Sequence, residues 1–235
     1  YSGTTNNGMV FKRNYGGTEY YSASENTETS QIPYMEINYT NTLGLESYWD
    51  YHTQNVGRAG TAYINDYTGN LVWVQEQMAF EGSRMPINIK LIYDSGSGDI
   101  NLGFGYKFRT NFNQSINYFS TNNSYRYVDE DGTDHYFTLD PSDGLYKNFQ
   151  DNSTELIIDP EPIDSKKKYI IKDVQGNKKC FNTNGRLSYI IGVEQDDNNN
   201  DLNRIEIHYN SVVSYMIDYI LDGAGRKYKF VYDGR

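Results

Sequence analysis

The histidines and the cysteine are the residues whose chemistry would be easiest to recognise, and their spacing argues against catalysis. The three histidines, His52, His135 and His208, lie far apart, and none belongs to a two-ligand spacing such as His-x-x-x-His. The sequence also contains neither a Gly-x-Ser-x-Gly nucleophile motif nor a phosphate-binding Gly-x-x-x-x-Gly-Lys-Ser/Thr loop. Cys180 adjoins Phe181 in a predicted strand, which favours a packed, unreactive thiol. We therefore predict no catalytic residue, no cofactor site and no metal site, and His208 is expected to face solvent on a strand.

Two acidic loops contain oxygen ligands of the kind that calcium prefers. They cover residues 129–132 and 194–201. The first loop lacks the distal glutamate of an EF-hand, and its sequence also fits a tight turn. The second contains three consecutive asparagines and fits a solvated hairpin tip. We therefore expect turns at both places and keep calcium binding as an alternative.

Aromatic residues are crowded into one short segment, which raises the possibility of carbohydrate binding. The segment contains Tyr48, Trp49, Tyr51 and His52, and Trp73 follows on a predicted strand. Exposed rings stack on the C–H faces of sugars while neighbouring Asn and Asp side chains bind hydroxyl groups. Large aromatic side chains are also the usual material of a protein core, and this interpretation is favoured. The five residues are ligand-binding candidates. A glycan-acting enzyme remains an alternative, because the separation of two carboxylates in space is not visible in a sequence.

Length and charge restrict the class of protein. The chain has 235 residues and a formal net charge of −10, and an acidic chain is a poor partner for nucleic acid. No apolar run approaches the roughly 20 residues of a membrane helix, so we predict no membrane insertion. Residues 1–30 are rich in Ser, Thr, Asn and Gly, which indicates a linker or the end of a preceding module. We expect one domain over residues 31–235.

The composition and the alternation of apolar residues predict strands. The chain contains 24 Tyr and 10 Phe, residues that suit a pleated and half-buried surface. Apolar and polar residues alternate with a period of two, which buries one face of a strand. This pattern predicts strands in residues 87–93, 102–109, 204–209, 213–221 and 227–232. A short helix is plausible only in residues 43–54.

The segments between these strands repeat the pattern Asp/Asn-x-x-Gly. Six copies begin at residues 41, 66, 129, 173, 182 and 222. Asp or Asn at the first position of a type I turn accepts hydrogen bonds from the turn backbone, and the glycine takes a positive φ. At such turns we expect replacement of Gly185 or Gly225 to cost more than replacement of Asp222. Together with the alternation, the turns predict an all-β, antiparallel sheet of short, hairpin-connected strands.

Several copies extend into a longer motif. Residues 182–187 (Asn-Thr-Asn-Gly-Arg-Leu) and 222–226 (Asp-Gly-Ala-Gly-Arg) resemble the Asp-x-x-Gly-Arg-Leu core of YD or Rhs repeats, and residues 232–235 resemble part of another copy. The blocks at 44–54, 57–60, 65–71, 84–87, 103–106 and 129–133 are similar to the segment that precedes the repeats in large surface proteins of Gram-positive bacteria. The copies are atypical, because they lack the Tyr-x-Tyr that many full repeats carry before the Asp.

The resemblance, which covers about residues 31–235, implies both a fold and a role. It implies an Rhs/YD-shell-like sheet, or an open β-sandwich variant of it, in a secreted, wall-associated polymorphic toxin or adhesin at the cell surface. Activity in such proteins lies in a C-terminal effector. The implied function is a non-catalytic structural and display module whose partners are the neighbouring YD repeats of the parent protein. The alternative is a module that binds carbohydrate or the cell wall.

Overall fold

Strands and tight turns make up nearly all of the chain. A computed structural model describes residues 43–81, 85–148, 153–193 and 203–233, which all belong to the unit Asn41–Arg235. Strands account for 49% of the structure and helix for 3%, and both sheets are antiparallel. The predicted all-β, antiparallel class is therefore confirmed. The proposed linker at residues 1–30 and the acidic loop at 194–201 lie outside the described residues. So does the start of the predicted turn at Asn41, of which only Leu43 and Gly44 are described.

The first sheet contains five strands in the order of the chain. Its strands are β1 (Tyr51–Asn55), β2 (Thr61–Asn65), β3 (Leu71–Phe80), β4 (Ile87–Asp94) and β5 (Phe108–Thr110). A 3-10 turn, Gly57–Ala59, connects β1 to β2, and a bulge between Glu76 and Met78 interrupts the register of β3 on β4. The first sheet thus contains both β1, where the aromatic segment ends, and β4, which corresponds to the strand predicted at residues 87–93.

The second sheet contains eleven strands, and each strand pairs with its neighbours in the chain. A second 3-10 turn, Ser165–Lys167, precedes β11. The strands are β6 (Ser115–Phe119), β7 (Ser124–Val128), β8 (Asp134–Leu139), β9 (Tyr146–Lys147), β10 (Thr154–Ile158), β11 (Tyr169–Asp173), β12 (Lys178–Phe181), β13 (Leu187–Ile191), β14 (Arg204–Tyr209), β15 (Ile217–Leu221) and β16 (Lys227–Lys229). Within the described residues, no helix has the length and apolarity needed to cross a lipid bilayer.

The eleven-stranded sheet curves back on itself. The start of β6 meets the turn between β12 and β13, where Ser115 and Arg186 form an isolated bridge. The Ile116 N–H donates to the Gly185 carbonyl oxygen at 2.7 Å, and the Leu187 N–H donates to the Gln114 carbonyl oxygen at 3.1 Å.

The main core receives side chains from both sheets. The alternation predicted for residues 204–209 is observed, because the two isoleucines of β14 are buried. The first sheet contributes two isoleucines of β4. The buried members of the core are Ile87, Ile89, Phe112, Ile116, Tyr127, Phe137, Leu156, Ile171, Phe181, Leu187, Ile205, Ile207, Ile217 and Ile220.

Two expectations about secondary structure were wrong. Residues 43–54 do not form a helix: residues 43–50 are irregular, and Tyr51–Asn55 is strand β1, paired with β2. Residues 102–107 do not form a strand, because Gly103 and Gly105 have φ angles of 99° and 107°. The Asn101 side chain accepts hydrogen bonds from both of these glycine N–H groups and holds the chain in a loop.

Two predicted strands are shorter than the sequence pattern. The strand expected from residue 213 begins only at Ile217, because the Asn210 side chain binds the N–H groups of Val212 and Val213 and makes a turn. The strand expected over residues 227–232 is assigned only for Lys227–Lys229.

The predicted turns position consecutive strands. The turns that begin at residues 129, 173, 182 and 222 connect β7–β8, β11–β12, β12–β13 and β15–β16, and their glycines all have positive φ. The turn between β2 and β3 begins one residue earlier than predicted, at Asn65, whose carbonyl oxygen accepts the Gly69 N–H at 2.8 Å. A further turn, missed in the sequence, links Asp140 to Gly144.

Candidate functional site

Two of the predicted ligand-binding residues, Tyr48 and Trp49, lie beside a third aromatic residue, Tyr67, at the end of the first sheet. Trp49 stacks on Tyr67, with ring centroids 5.2 Å apart and an interplanar angle of 11°. Tyr48 lies against Trp49 at 5.6 Å and 52°. These three rings and the carboxylates Asp50 and Asp66 line one surface depression. We call these five residues the aromatic groove.

Hydrogen bonds of the β2–β3 turn fix the position of Tyr67. The Asn65 side chain accepts the N–H groups of Tyr67 and Thr68 at 3.0 and 2.9 Å. The Asp66 N–H donates to the Asp50 carbonyl oxygen at 3.0 Å, which ties the turn to the segment that carries Trp49. The turn therefore holds Tyr67 beside a segment that is distant from it in the sequence.

The other three predicted ligand residues do not join the groove. The Tyr51 hydroxyl accepts the Glu46 N–H at 2.9 Å, and burial raises the pKa of this phenol. The Trp73 ring packs edge-on against Phe108, 6.2 Å away, and is half-buried. His52 is exposed on β1. The strand register places Tyr51 on one face of the sheet and both His52 and Trp73 on the other.

The sequence prediction missed Tyr67. The sequence feature that could have identified Tyr67 is an aromatic residue inside a tight turn, where a large side chain has few neighbours. The side chain is 80% exposed, which is far more than the half-buried Trp49. Proximity in the sequence selected Tyr51 and His52 instead, although adjacent strand residues point to opposite faces.

A second cluster of polar residues lies at the β7–β8 turn. Asp129 Oδ2 is 2.9 Å from His135 Nε2, and Asp129 Oδ1 accepts three backbone N–H groups of its own turn. Asp131 Oδ2 accepts the Leu45 N–H at 3.2 Å, and the Thr133 hydroxyl donates to the Leu43 carbonyl oxygen. We call Asp129, Asp131, Thr133 and His135 the carboxylate turn. It fastens residues 43–50 to the second sheet.

The ionisation of the carboxylate turn differs from that of free side chains. Burial, together with the charge of Asp129, raises the pKa of Asp131 to about 7. Burial also acts to raise the pKa of Asp129, but the hydrogen bonds to His135 and Asp131 and the charge of His135 together outweigh burial and hold this pKa below its ordinary value. Burial acts to lower the pKa of His135, but the hydrogen bond to Asp129 and the negative charges of Asp129, Glu46 and Asp131 together raise it above its ordinary value.

The carboxylate turn has a structural role that its contacts explain. The two carboxylates contact backbone N–H groups, His135 and the Thr133 hydroxyl. Within the described residues no group of three or more His, Cys, Asp or Glu side chains is arranged to hold a metal ion. The role of the carboxylate turn is therefore to hold residues 43–50 against the second sheet.

The remaining residues singled out in the sequence lie apart from both clusters. Cys180 is completely buried in β12, as expected for a packed thiol. His208 is half-buried and does not simply face solvent, because its ring stacks on Tyr219 at 4.2 Å and 13°. Burial lowers the pKa of His208, although Glu206 lies 3.2 Å from its Nε2.

The fold and the groove define an all-β, antiparallel protein with an exposed aromatic surface. Part of the chain, residues 62–137, is similar to a family described as "Domain of unknown function (DUF6531)". The matched segment runs from β2 to β8 and contains both Tyr67 and the carboxylate turn. The comparison with curated proteins gives no match.

Proposed function

We propose that this chain is a non-catalytic structural module of a large, secreted bacterial surface protein of the Rhs/YD-repeat type. Its place is the cell surface or wall, and its partners are the neighbouring repeats of the same protein. The observation that carries the proposal is the eleven-stranded sheet, in which every strand pairs with its neighbours in the chain. Such an array is stabilised by contacts between adjacent units, as in repeat proteins.

The two stretches that resemble the YD core have the same turn geometry. In both, the glycine N–H donates to the carbonyl oxygen of the first residue, at 2.8 Å in the Asn182 turn and 2.9 Å in the Asp222 turn. In both, the side chain of the first residue accepts the N–H groups two and four positions later. A common geometry at two turns supports a repeating structural unit.

Strand β16 provides an edge at which the sheet could continue. The bonds from Phe230 N–H to Asp218 and from Asp222 N–H to Arg226 define the hydrogen-bonded pairs, which place the Tyr228 N–H towards β15. The backbone N–H groups of Lys227 and Lys229 then point away from β15. An added strand would pair with these groups.

The test is to block this edge in the parent surface protein. Lys229→Pro removes an outward N–H, whereas the control Tyr228→Pro removes a bond within the sheet. We expect Lys229→Pro to leave the unfolding of the isolated chain nearly unchanged and to make the following region of the parent protein more sensitive to protease. Tyr228→Pro should destabilise the isolated chain itself.

Two results would contradict the proposal. One is unchanged protease resistance and surface display of the parent protein after Lys229→Pro. The other is release of reducing ends when the purified chain is incubated with a panel of polysaccharides, which would favour a glycan-acting enzyme. Binding of a glycan or of the cell wall is a second candidate function, and the exposed rings of the aromatic groove favour it.

A further inference from the structure

The aromatic groove exposes rings that the rest of the fold would ordinarily bury. Tyr67 is 80% exposed and Tyr48 is 51% exposed, whereas Phe137 and Phe181 are almost completely buried in the core. The depression has a volume of about 360 Å³, which is within the range of small-molecule sites. Adjacent exposed aromatic rings of this kind indicate a contact surface.

The rings are held in place before any ligand arrives. Trp49 and Tyr67 are nearly parallel, and the Asp66 N–H joins their two segments by its bond to the Asp50 carbonyl oxygen. Asp66 Oδ1 also accepts the His52 N–H at 3.1 Å. A ligand that stacks on this pair therefore meets a surface that is already ordered, which reduces the entropic cost of binding.

The charge of the groove restricts the ligand. Asp50 and Asp66 provide carboxylate oxygens that accept hydrogen bonds from hydroxyl or ammonium groups. The two carboxylates, on a chain with a net charge of −10, repel uronic acids, sulfates and phosphates. A flat, hydroxyl-rich ring without negative charge satisfies both the aromatic and the acidic parts of the groove.

We propose that the aromatic groove binds hexose units of a polysaccharide that is uncharged or carries amine groups. Tyr67 supplies the exposed stacking face, Trp49 packs against its other face and holds it in place, and Asp50 and Asp66 bind the hydroxyl or ammonium groups at the edge of the sugar ring. This proposal rests on the second candidate function named above, binding of a glycan or of the cell wall, and specifies its ligand; the structural role does not depend on it.

The test measures binding of the full chain to three purified hexose oligomers by isothermal titration calorimetry. The probes are a β-glucan hexamer, a glucosamine hexamer and an oligogalacturonate, which represent neutral, cationic and anionic glycans. We expect binding to the neutral probe, the cationic probe or both, and none to the oligogalacturonate. Tyr67→Ala should weaken binding roughly tenfold, which corresponds to about 1.4 kcal/mol. Tyr106→Ala is the matched control, because Tyr106 is 66% exposed outside the groove.

The aspartates separate the two kinds of ligand. If the ammonium group is recognised, the Asp50→Asn and Asp66→Asn pair should weaken binding of the glucosamine hexamer much more than that of the β-glucan hexamer. Absence of binding to all three probes, preference for the oligogalacturonate, or equal affinity of Tyr67→Ala and wild type would overturn the proposal. Protease resistance of the parent protein is measured in parallel, so that failure here is distinguishable from failure of the structural role.

Discussion

Gly185 and Gly225 occupy equivalent turns but have different surroundings. Their φ angles are 70° and 79°, both in the left-handed region. A Cβ built on Gly185 would lie 2.0 Å from the Ile116 carbonyl oxygen, whereas a Cβ on Gly225 would meet nothing within 4 Å. Replacing each with alanine therefore separates the backbone cost of the turn from the cost of the contact between β6 and the β12–β13 turn.

The expected losses of stability follow from these two costs. Alanine at either site pays for a left-handed backbone, about 1–2 kcal/mol. At Gly185 the Ile116 backbone must also move, which disturbs the Ile116 N–H bond to Gly185 and the neighbouring Leu187 N–H bond to Gln114. Each lost bond costs roughly 0.5–1.5 kcal/mol. We expect losses of about 1–2 kcal/mol for Gly225→Ala and about 2–5 kcal/mol for Gly185→Ala.

Urea denaturation of the full chain measures the two losses. The comparison requires unchanged m-values, since a changed m-value signals an altered native or unfolded state. Amide hydrogen exchange at Ile116 and Leu187 gives a local readout, and we expect faster exchange only in Gly185→Ala. Equal destabilisation by the two variants would refute the reasoning, because the close approach of β6 to the turn would then contribute nothing.

Two further predictions concern charged groups in turns. Asp131 has a folded pKa of about 7 against an ordinary value of 3.8, so its protonated form is favoured by folding, and the unfolding free energy should fall as pH rises from about 4 to 7. Asp131→Asn should flatten this slope in urea titrations, and an unchanged slope would exclude Asp131 as its source. Asp222→Ala should cost about 2–4 kcal/mol, because the buried carboxylate accepts bonds from the Ala224 and Arg226 backbones, the Arg226 guanidinium and the Tyr228 hydroxyl. The loss expected for Asp222→Ala exceeds that for Gly225→Ala, whereas the turn motif alone predicts the opposite order. A loss smaller than that of Gly225→Ala in urea unfolding would contradict this prediction.

The sequence was sufficient for features that depend on local backbone chemistry. The Asp/Asn-x-x-Gly pattern predicted turns because the capping side chain and the glycine act within four residues. The alternation at Ile205 and Ile207 predicted a buried face because β14 has one face in the core. The same rule was less informative for β4, where Ile92 and Asp94, on the face opposite Ile87, are also buried.

The sequence was insufficient where distant segments determine the structure. Asp94 is buried with its carboxylate accepting the Gly44 N–H at 3.0 Å, a contact across fifty positions that no local pattern reveals. The helix predicted for residues 43–54 is absent for the same reason. The strand pairing of Tyr51 with Asn65 outweighs a weak local preference for helix. The alternation predicts a strand through Gly103 and Gly105, although the freedom of glycine at positive φ favours the loop that is observed.

The structural and binding proposals are physically connected through residues 43–50. Asp94 and Asp131 bind the N–H groups of Gly44 and Leu45, and these bonds fix the segment that contains Trp49. Tyr67 reaches Trp49 only because the β2–β3 turn is bonded to the same segment. The carboxylate turn thus acts on the aromatic groove through position alone, without touching a ligand. The groove is therefore a consequence of how the first sheet is attached to the second, which explains why residues far apart in the sequence form one surface.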